Sequence, residues 1–415
     1  MAYTVPLFDL NYDEAEEQAV LAVLRSKWIS MGPQAAELER AFAAHVGARH
    51  AIAVTNCTAA LHLAIEALGI GPGDEVIVPS LTFVATVNCI GAAGATPVFA
   101  DITGPEDFSI DPGQVRHLIG PRTKAIMVMH FAGFPCDMDA LTSLAREHRL
   151  ALIEDAAHAP DTRYHGRSAG TFGEIGCFSF YANKNIASGE GGLMVTDRDD
   201  LAAKLRLLRS HGMTSLSFDR AKGHATSYNV VARGYNLRLD DIRASLALAQ
   251  FRKLPQDTAR RAALRQRYVE RLQKIPGLTI PYAGSPHPSS HHILPILLKE
   301  GGVSRREAVR ERLGQRGVQT SVHYPPAHRF SIYQSLGANL PKTDFVADHV
   351  ITMPFYAALS EPMLDQVIGA LAEAVGQPGS LRRTDLCFQL LCRYLRLLQF
   401  LGCPKIYPAQ ALDAR

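Results

Sequence analysis

The feature that most constrains the fold is an alternation of short apolar runs with segments of helical spacing between residues 51 and 196. Apolar runs such as AIAV (51–54), EVIVP (75–79), KAIMVMH (124–130) and ALIED (151–155) are separated by segments whose apolar residues recur at helical spacing. Apolar strands that alternate with helices are typical of a mostly parallel sheet covered on both faces. The sequence therefore predicts an α/β fold built on such a sheet.

The remaining chain completes this picture. Further strands are predicted at PVFAD (97–101), GCFSF (176–180) and GLMVT (192–196), which gives seven strands. Beyond Asp199 the pattern becomes helical, and a long charged helix is predicted from about 240 to 274, with an interruption near Pro255.

The domain organisation predicted from these patterns has three parts. They are a large domain with two N-terminal helices (1–250), a small C-terminal α+β domain (251–376) and an apolar helical tail (377–415). The tail contains the strongly apolar segment TDLCFQLLCRYLRLLQFLG (384–402), which is too short to span a bilayer. We expect it to pack on the body of the protein or on a neighbouring subunit rather than on a membrane surface.

Composition excludes several classes of protein. The 43 Lys and Arg residues nearly balance the 40 Asp and Glu residues, so we expect no nucleic-acid partner. The N-terminus lacks the basic and apolar regions of a secretory signal. Seven scattered cysteines without a CxxC pair predict free thiols in a reducing cytoplasm and no metal site. GIGPGD (69–74) follows a helix and is a helix end with a turn, not a dinucleotide fingerprint.

Three short stretches carry candidate chemistry. In VTNCTAALHLA a strand ends near Val54 and a helix begins near Thr58, so free first-turn amides and a hydroxyl are available to a phosphate. Simple capping of the helix by Thr58 explains this stretch equally well. In ALIEDAAHA, Asp155 ends a buried strand at the sheet edge where α/β proteins bind ligands. His158 lies three residues further on, where a structural histidine is the commoner case.

The third stretch, CFSFYANKNIASGEGG (177–192), places Lys184 between two asparagines, after an apolar run and before a glycine cluster. Ser179 precedes it and offers a hydroxyl. A lysine that burial partly deprives of water loses its proton more easily, which Schiff-base formation requires. A phosphate-binding helix start, a carboxylate and a reactive lysine together match the handles of pyridoxal 5′-phosphate (PLP), which predicts PLP as the cofactor and pyridoxamine phosphate as its aminated form.

At this point the sequence resembles the DegT-type family of PLP-dependent nucleotide-sugar aminotransferases, within the fold-type I aspartate aminotransferase superfamily. The resemblance covers about residues 5 to 375. The matching stretches are SKWISMGP, TAALHLA, GDEVIVPSLTFVAT, GATPVFADI, KAIMVMHFAGFPCDMD, IEDAAHAPDTRYHGRSAGTFG, CFSFYANKNIASGEGG, RGYNLRLDDIRASLALAQ and HYPPAH.

The resemblance implies a role for each matching position. Lys184 would form the Schiff base, and Asp155 would pair with the pyridine nitrogen. His158 stands where many members have Gln, near the 3-oxygen of the ring, and Phe83 would stack on the ring. The phosphate would be held by Cys57, through its backbone amide, and by Thr58, Ser179 and, from the other subunit, Asn236. The last contact implies a homodimer with shared active sites.

The same resemblance implies the reaction. An amino acid, L-glutamate, would donate its amino group to a nucleotide-linked keto-sugar. SKWISMGP resembles the version in enzymes that aminate C4 of a 4-keto-6-deoxyhexose or 4-keto-pentose, so we favour C4 over C3. Met31, His323 and His328 are candidates for the sugar side, and ordinary loop or core packing explains them equally well.

Three alternatives stay open beside this interpretation. A PLP-dependent sugar dehydratase of the same family typically has His in place of the lysine. A non-catalytic regulator or scaffold would be expected to lose Lys184 or Asp155. A nicotinamide-dependent sugar oxidoreductase is disfavoured by the missing glycine fingerprint.

Overall fold

The computed structural model describes residues 3–214 and 227–376. The described residues contain twelve strands, numbered in chain order: β1 (His50–Val54), β2 (Glu75–Pro79), β3 (Thr96–Ala100), β4 (Thr123–Met129), β5 (Ala151–Asp155), β6 (Arg163–Tyr164), β7 (Arg167–Ser168), β8 (Ile175–Ser179), β9 (Gly192–Thr196), β10 (Leu278–Thr279), β11 (Leu294–Leu298) and β12 (Val350–Met353).

The helices of the same residues surround these strands. They are α1 (Glu14–Ser26), α2 (Pro33–Val46), α3 (Cys57–Ala67), α4 (Ala85–Ala92), α5 (Pro112–Leu118), α6 (Met138–His148), α7 (Asp199–Arg209), α8 (Asp241–Leu272), α9 (Gly302–Gln315), α10 (Pro341–His349) and α11 (Glu361–Gly376). Short 3-10 turns lie at Phe131–Gly133, Ala327–Arg329 and Gln334–Leu336.

The main sheet confirms the predicted α/β architecture. Its seven strands follow the order β1-β9-β8-β5-β4-β2-β3. Only β9 runs against its neighbours β1 and β8, so the other six strands point the same way. The carboxyl ends of β1, β8, β5, β4 and β2 therefore meet at one edge, together with the first residue of β9.

Helices cover both faces of this sheet, which explains why its strands are apolar on both sides. One face packs against α3, α4 and α7, with Leu61, Ile90 and Leu205 in the core. Part of the other face packs against α2 and α8, through residues such as Phe42 and Leu248. The two-sided burial fixes the register of the strands and so the positions at which they end.

The C-terminal region has its own core. A three-stranded antiparallel sheet, β10-β11-β12, packs with α9, α11 and the end of α8 around residues such as Tyr268, Ile296, Val309 and Leu371. The described chain up to Val375 forms one compact unit. The predicted boundary at residue 250 falls within α8, and the division into a large and a small domain stays a prediction.

One detail of the sequence prediction was wrong. Helix α8 runs unbroken from Asp241 to Leu272 with Pro255 inside it. Pro255 removes one N–H from the helical ladder, and packing of α8 against α1 and α2 keeps the helix continuous. Between β2 and β3, the helix α4 begins only at Ala85, because residues 82–84 lie in a short non-helical segment before it. The predicted tail helix lies outside the described residues.

Candidate active site

The candidate residues meet at the edge of the sheet where the parallel strands end. Val54, the last residue of β1, and Ser179, the last residue of β8, both pair with Gly192 at the start of β9. Asp155, the last residue of β5, pairs with Cys177 of β8. Helix α3 and the loop carrying Lys184 begin directly beyond these ends, so the three predicted stretches converge on one place.

Lys184 lies in the loop that joins β8 to β9, and its amine faces buried groups. Its backbone N–H donates to the carbonyl of Tyr181 at 2.9 Å. Its Nζ lies 3.4 Å from Nε2 of His292. Burial lowers the pKa of the Lys184 amine to about 8, although Asp155 and Cys57 oppose this shift. A substantial fraction of the amine is therefore neutral near physiological pH, as a nucleophile or general base requires.

Asp155 is a buried carboxylate whose oxygens are both oriented. The Thr86 hydroxyl donates to Oδ2 at 2.7 Å, and the Ala157 amide donates to Oδ1 at 3.0 Å. The Thr82 hydroxyl lies 2.7 Å from that of Thr86 and can donate to it, which leaves the Thr86 proton for the carboxylate. Burial raises the pKa of Asp155, while these donors and Lys184 oppose the increase. Such a carboxylate is suited to a cationic partner.

The start of α3, Asn56 to Thr58, is suited to an anion and is called the cup below. Asn56 is the N-cap, since its side chain accepts from the Ala59 amide at 2.9 Å, so capping by Thr58 is wrong. Cys57 and Thr58 are the first two helical residues, and their amides have no partner within the helix. Thr58 is exposed, whereas burial raises the pKa of the Cys57 thiol well above its ordinary value. The Cys57 thiol therefore stays neutral.

The close packing around the cup also explains why residue 192 is a glycine. A Cβ on Gly192 would lie 2.5 Å from the carbonyl carbon of Asn56 and 2.6 Å from the amide nitrogen of Cys57. Only a residue without a side chain lets β9 approach the start of α3 so closely. Ser179, beside Gly192 in the sheet, has its hydroxyl oxygen 3.3 Å from the Tyr181 amide, which donates to it.

Aromatic and histidine side chains form one wall of the site. The phenyl ring of Phe83 is 53% exposed and lies 5.8 Å, centroid to centroid, from the ring of Tyr324. The Tyr324 hydroxyl lies 3.0 Å from Nε2 of His158, and the Ala132 amide donates to Nδ1 of His158 at 3.3 Å. Burial, reinforced by the charge on Lys184, lowers the pKa of His158 well below its ordinary value. His158 is therefore a neutral part of this wall.

The three candidates for the sugar side differ in their surroundings. Nδ1 of His323 lies 2.9 Å from the Thr352 hydroxyl, and burial together with Lys184 lowers the pKa of His323 to about 4. His328 contacts Ser80 at 2.8 Å through Nδ1 and Asp344 at 3.2 Å through Nε2. Met31 is 9% exposed and belongs to the core cluster of α2 and α8. Of these two histidines, His323 is the one whose pKa the charge of Lys184 helps to lower.

The surroundings of Asn236 differ from those of the other candidate residues. It is exposed and forms an isolated bridge with Ser210. Its neighbour Tyr235 is 40% exposed, and the side chains of Tyr228, Val230 and Val231 in the same segment are more exposed still. An exposed apolar segment that carries the predicted phosphate ligand is compatible with a contact between subunits.

Several residues of the site were missed by sequence reasoning. Thr86 orients Asp155 across 69 residues, and His292 contacts Lys184 across 108. Glu154, which precedes Asp155, faces away from the site and is buried. It binds Nε2 of His130 at 2.9 Å and accepts from two glycine amides. These partners share no local pattern with the residues that they support, so only the folded chain reveals them.

Residues 3–214 and 227–376 contain neither a metal-binding cluster of side chains nor a helix that could cross a bilayer. No group of three or more His, Cys, Asp or Glu side chains in this part of the chain is arranged to hold a metal ion. Within the same residues, none of the helices combines the length and the apolar character that crossing a bilayer needs.

Comparison with known proteins decides the family. The sequence model of the DegT/DnrJ/EryC1/StrS aminotransferase family matches residues 11–372. The spore coat polysaccharide biosynthesis protein SpsC of Bacillus subtilis strain 168 is 40% identical over 382 residues, which is 90% of this chain and 97% of SpsC. The chain belongs to the DegT/DnrJ/EryC1/StrS aminotransferase family. It is therefore a PLP-dependent sugar aminotransferase, as the sequence predicted.

Solved structures agree with this assignment. The aminotransferase TlmJ from Streptoalloteichus hindustanus is 35% identical, with a TM-score of 0.83 over 89% of this chain and 98% of TlmJ. The sugar aminotransferase candidate Spr1654 of Streptococcus pneumoniae, solved in a PLP form, is 28% identical with a TM-score of 0.83, over 90% of this chain and 99% of Spr1654. The same protein has also been solved in a PMP form. The fold is that of fold-type I PLP aminotransferases.

The residues of this chain fit the PLP cofactor of the family. The buried Asp155 carboxylate, which the Thr86 hydroxyl and the Ala157 amide orient, suits a protonated pyridine nitrogen. The free amides of Cys57 and Thr58 suit a phosphate, and the close approach of Gly192 keeps them in place. The Lys184 amine, with a pKa of about 8, suits an aldehyde. Each handle of the cofactor thus has a matching group at the same sheet edge.

Proposed function

We propose that this aminotransferase moves the amino group of L-glutamate to C4 of a nucleotide-linked 4-keto-6-deoxyhexose or 4-keto-pentose. The observation that carries the proposal is the convergence of the Lys184 amine and the buried Asp155 carboxylate at the start of α3. Membership of the family supports the amino transfer to a sugar. The choice of C4 rests on the resemblance of SKWISMGP to C4 enzymes.

Asp155 would control the charge of the cofactor ring. PLP, when bound, supplies an electron sink for the carbanion that forms at the α-carbon of the amino donor. Asp155, held by Thr86 and the Ala157 amide, would keep the ring nitrogen protonated and so maintain that sink. The donors to Asp155 favour its ionised form, which is the form that pairs with a cation.

Lys184 would carry the proton of the reaction. In its neutral form the amine can attack an aldehyde carbon, and when free it can accept the proton of the donor's α-carbon. With a pKa of about 8, the amine can both accept this proton and return it near physiological pH. The charge of Lys184 contributes to the lowered pKa of His323, which supports the predicted position of His323 near the sugar.

The remaining roles follow the predicted pattern. Cys57, Thr58 and Ser179 would hold the phosphate, Phe83 would cover the ring, and His158 would face the 3-oxygen side. On the sugar side, Met31 and His328 stay predictions with weaker support, because Met31 is packed in a core and His328 already has protein partners on both ring nitrogens.

Two further parts of the proposal concern the assembly and the location. Asn236 would reach the phosphate of a second copy of the chain, which makes the working unit a homodimer with shared sites. The exposure of Asn236 and of the apolar residues beside it supports this arrangement. We propose that the enzyme acts in the cytoplasm, because a nucleotide-sugar substrate and free thiols are both compatible with that compartment.

Amination at C3 is the nearest alternative, and only the acceptor tests can separate it from C4. A sugar dehydratase and a non-catalytic scaffold are less well supported. Lys184 and Asp155 are both present, buried or partly buried, and oriented by neighbours, which a scaffold has no need to maintain.

The first experiment uses absorbance spectroscopy of the purified protein with PLP. We expect a visible band that glutamate shifts to shorter wavelength in the wild type, and neither band nor shift of this kind in Lys184→Ala. The second step offers the aminated protein keto-sugars linked to UDP, GDP or dTDP, with the keto group at C4 or at C3. Product mass and the NMR position of the new amine then identify the acceptor. Conversion of the C3 series alone contradicts the C4 proposal.

A further inference from the structure

His292 contacts the free Lys184 amine, and it lies in a segment that has no role in the reaction described above. His292 belongs to the segment before β11 and is 3% exposed. Its Nε2 is 3.4 Å from Nζ of Lys184, and its Nδ1 is 3.0 Å from Oδ1 of Asn185. The adjacent residues Lys184 and Asn185 therefore contact the two nitrogens of one imidazole ring.

The tautomer of His292 follows from the surrounding hydrogen bonds. The Asn185 Nδ2 group donates to the carbonyl oxygen of Ser290 at 2.6 Å. Because a carbonyl oxygen only accepts, Nδ2 must face Ser290 and Oδ1 must face His292. Oδ1 in turn only accepts, so Nδ1 of His292 carries the hydrogen. The lone pair of Nε2 is thereby directed at the Lys184 amine.

The ring is also neutral and fixed in place. Burial lowers the pKa of His292 well below its ordinary value, and nearby His158 and Lys184 add to this effect. The His158 ring lies 4.1 Å away, centroid to centroid. The backbone of His292 donates to the carbonyl of Ala132 at 2.9 Å, and the buried Arg261 guanidinium donates to its carbonyl at 3.3 Å. The acceptor atom therefore has little freedom to move.

We propose that His292 is a positioning residue that accepts a hydrogen bond from the Lys184 amine and sets its resting place and its basicity. The contact holds the amine beside Nε2 of His292 whenever the amine is free. It also stabilises the ammonium form, because an acceptor binds a charged donor more strongly than a neutral one. His292 thus opposes the effect of burial on the lysine.

The other groups that act on Lys184 do not replace this acceptor. The titratable groups around the amine come from several elements: Asp155 of β5, Cys57 of α3, His158, His292 and His323. Asp155 is the anion among them, and its oxygens already accept from Thr86 and Ala157. His292 is the neutral acceptor for which the structure records a direct contact with Nζ.

The test measures the Lys184 amine in cofactor-free, full-length protein by competitive acetylation at a series of pH values, read by mass spectrometry. We expect a midpoint of about 8 in the wild type. In His292→Leu the midpoint falls by about one pH unit, because the ammonium loses its acceptor. In His292→Gln, whose side-chain oxygen can replace Nε2 as acceptor, the midpoint stays near the wild-type value.

A matched control is available in α10. His349 is also buried and also uses both ring nitrogens, with Phe345 and Gly302 as partners. His349→Leu should leave the Lys184 midpoint unchanged, and so separates a local effect from general destabilisation. An unchanged midpoint in His292→Leu, or an equal fall in His292→Gln, overturns the proposal.

A second measurement does not depend on the folding of any variant at position 292. Nitrogen NMR of wild-type protein with labelled histidines should report His292 as protonated on Nδ1, with the resonance assigned from proximity to Lys184 by labelling both residues. Protonation on Nε2 overturns the proposal. The inference rests on the proposed role of Lys184, but both readouts come from cofactor-free protein. It can therefore fail while the aminotransferase activity stands, and the reverse also holds.

Discussion

Substitution of Gly192 by alanine tests whether the approach of β9 to α3 builds the phosphate cup. The new Cβ would lie 2.5 Å from the carbonyl carbon of Asn56, whereas contacts of real Cβ atoms below 3.0 Å are essentially never seen. The start of α3 or of β9 must therefore move by at least about 0.5 Å, into a core that is already packed. Such overpacking costs about 1–3 kcal/mol. We expect PLP binding to weaken by about tenfold, which corresponds to about 1.4 kcal/mol.

The assay is equilibrium titration of cofactor-free protein with PLP, followed by absorbance, together with thermal denaturation. Gly120→Ala is the matched control, because a Cβ at Gly120 meets nothing within 4 Å and the residue has no positive φ. The control should bind PLP as the wild type does. Equal affinities of Gly192→Ala and Gly120→Ala would refute the reasoning, since the displaced amides of Cys57 would then not matter for the cofactor.

Three further results are expected. Thr86→Val removes from Asp155 a hydrogen-bond donor worth about 1.5–3 kcal/mol. Stopped-flow absorbance should therefore show that glutamate-dependent amino transfer is slowed at least about tenfold, whereas Thr86→Ser should stay near the wild-type rate. Equal rates in the Val and Ser variants would contradict this expectation. Glu154→Leu leaves His130 without its acceptor and should cost about 3–5 kcal/mol in urea denaturation, and an unchanged midpoint would show that the pair is dispensable. Because the Lys184 amine must be neutral to react and its pKa is about 8, PLP incorporation should rise with pH and be half-maximal near that value; a flat profile from about pH 7 to 9 argues against a lysine with this pKa.

Lys184 and Asp155 could be predicted as site residues from the sequence because each lies in a local pattern with a chemical meaning. A strand that ends in a carboxylate, and an apolar run that ends in a lysine before glycines, both indicate the edge of an α/β sheet. Their supports could not be found in this way. Thr86, His292 and Asn185 are ordinary polar residues in their own segments, and their roles depend on contacts between segments far apart in the chain.

The continuity of α8 and the N-cap of α3 are two further features that local sequence patterns alone did not predict. Pro255 is a helix breaker by local propensity, and the packing of α8 against α1 and α2 outweighs that propensity. Thr58 and Asn56 are both good capping residues. The helix begins after Asn56 because Asn56 has an extended backbone and its side chain accepts from the Ala59 amide.

The sequence by itself determined the α/β architecture, the seven strands and the cofactor, and it predicted Lys184 and Asp155 as the central site residues, since these depend on periodicity and on residue types close together in the chain. Only the tertiary structure decided how those groups behave. The pKa of Lys184, the orientation of Asp155, the tautomer of His292 and the need for glycine at 192 all arise from burial and from contacts across the sheet edge. Desolvation and hydrogen-bond geometry are properties of packed atoms, and no local pattern encodes them.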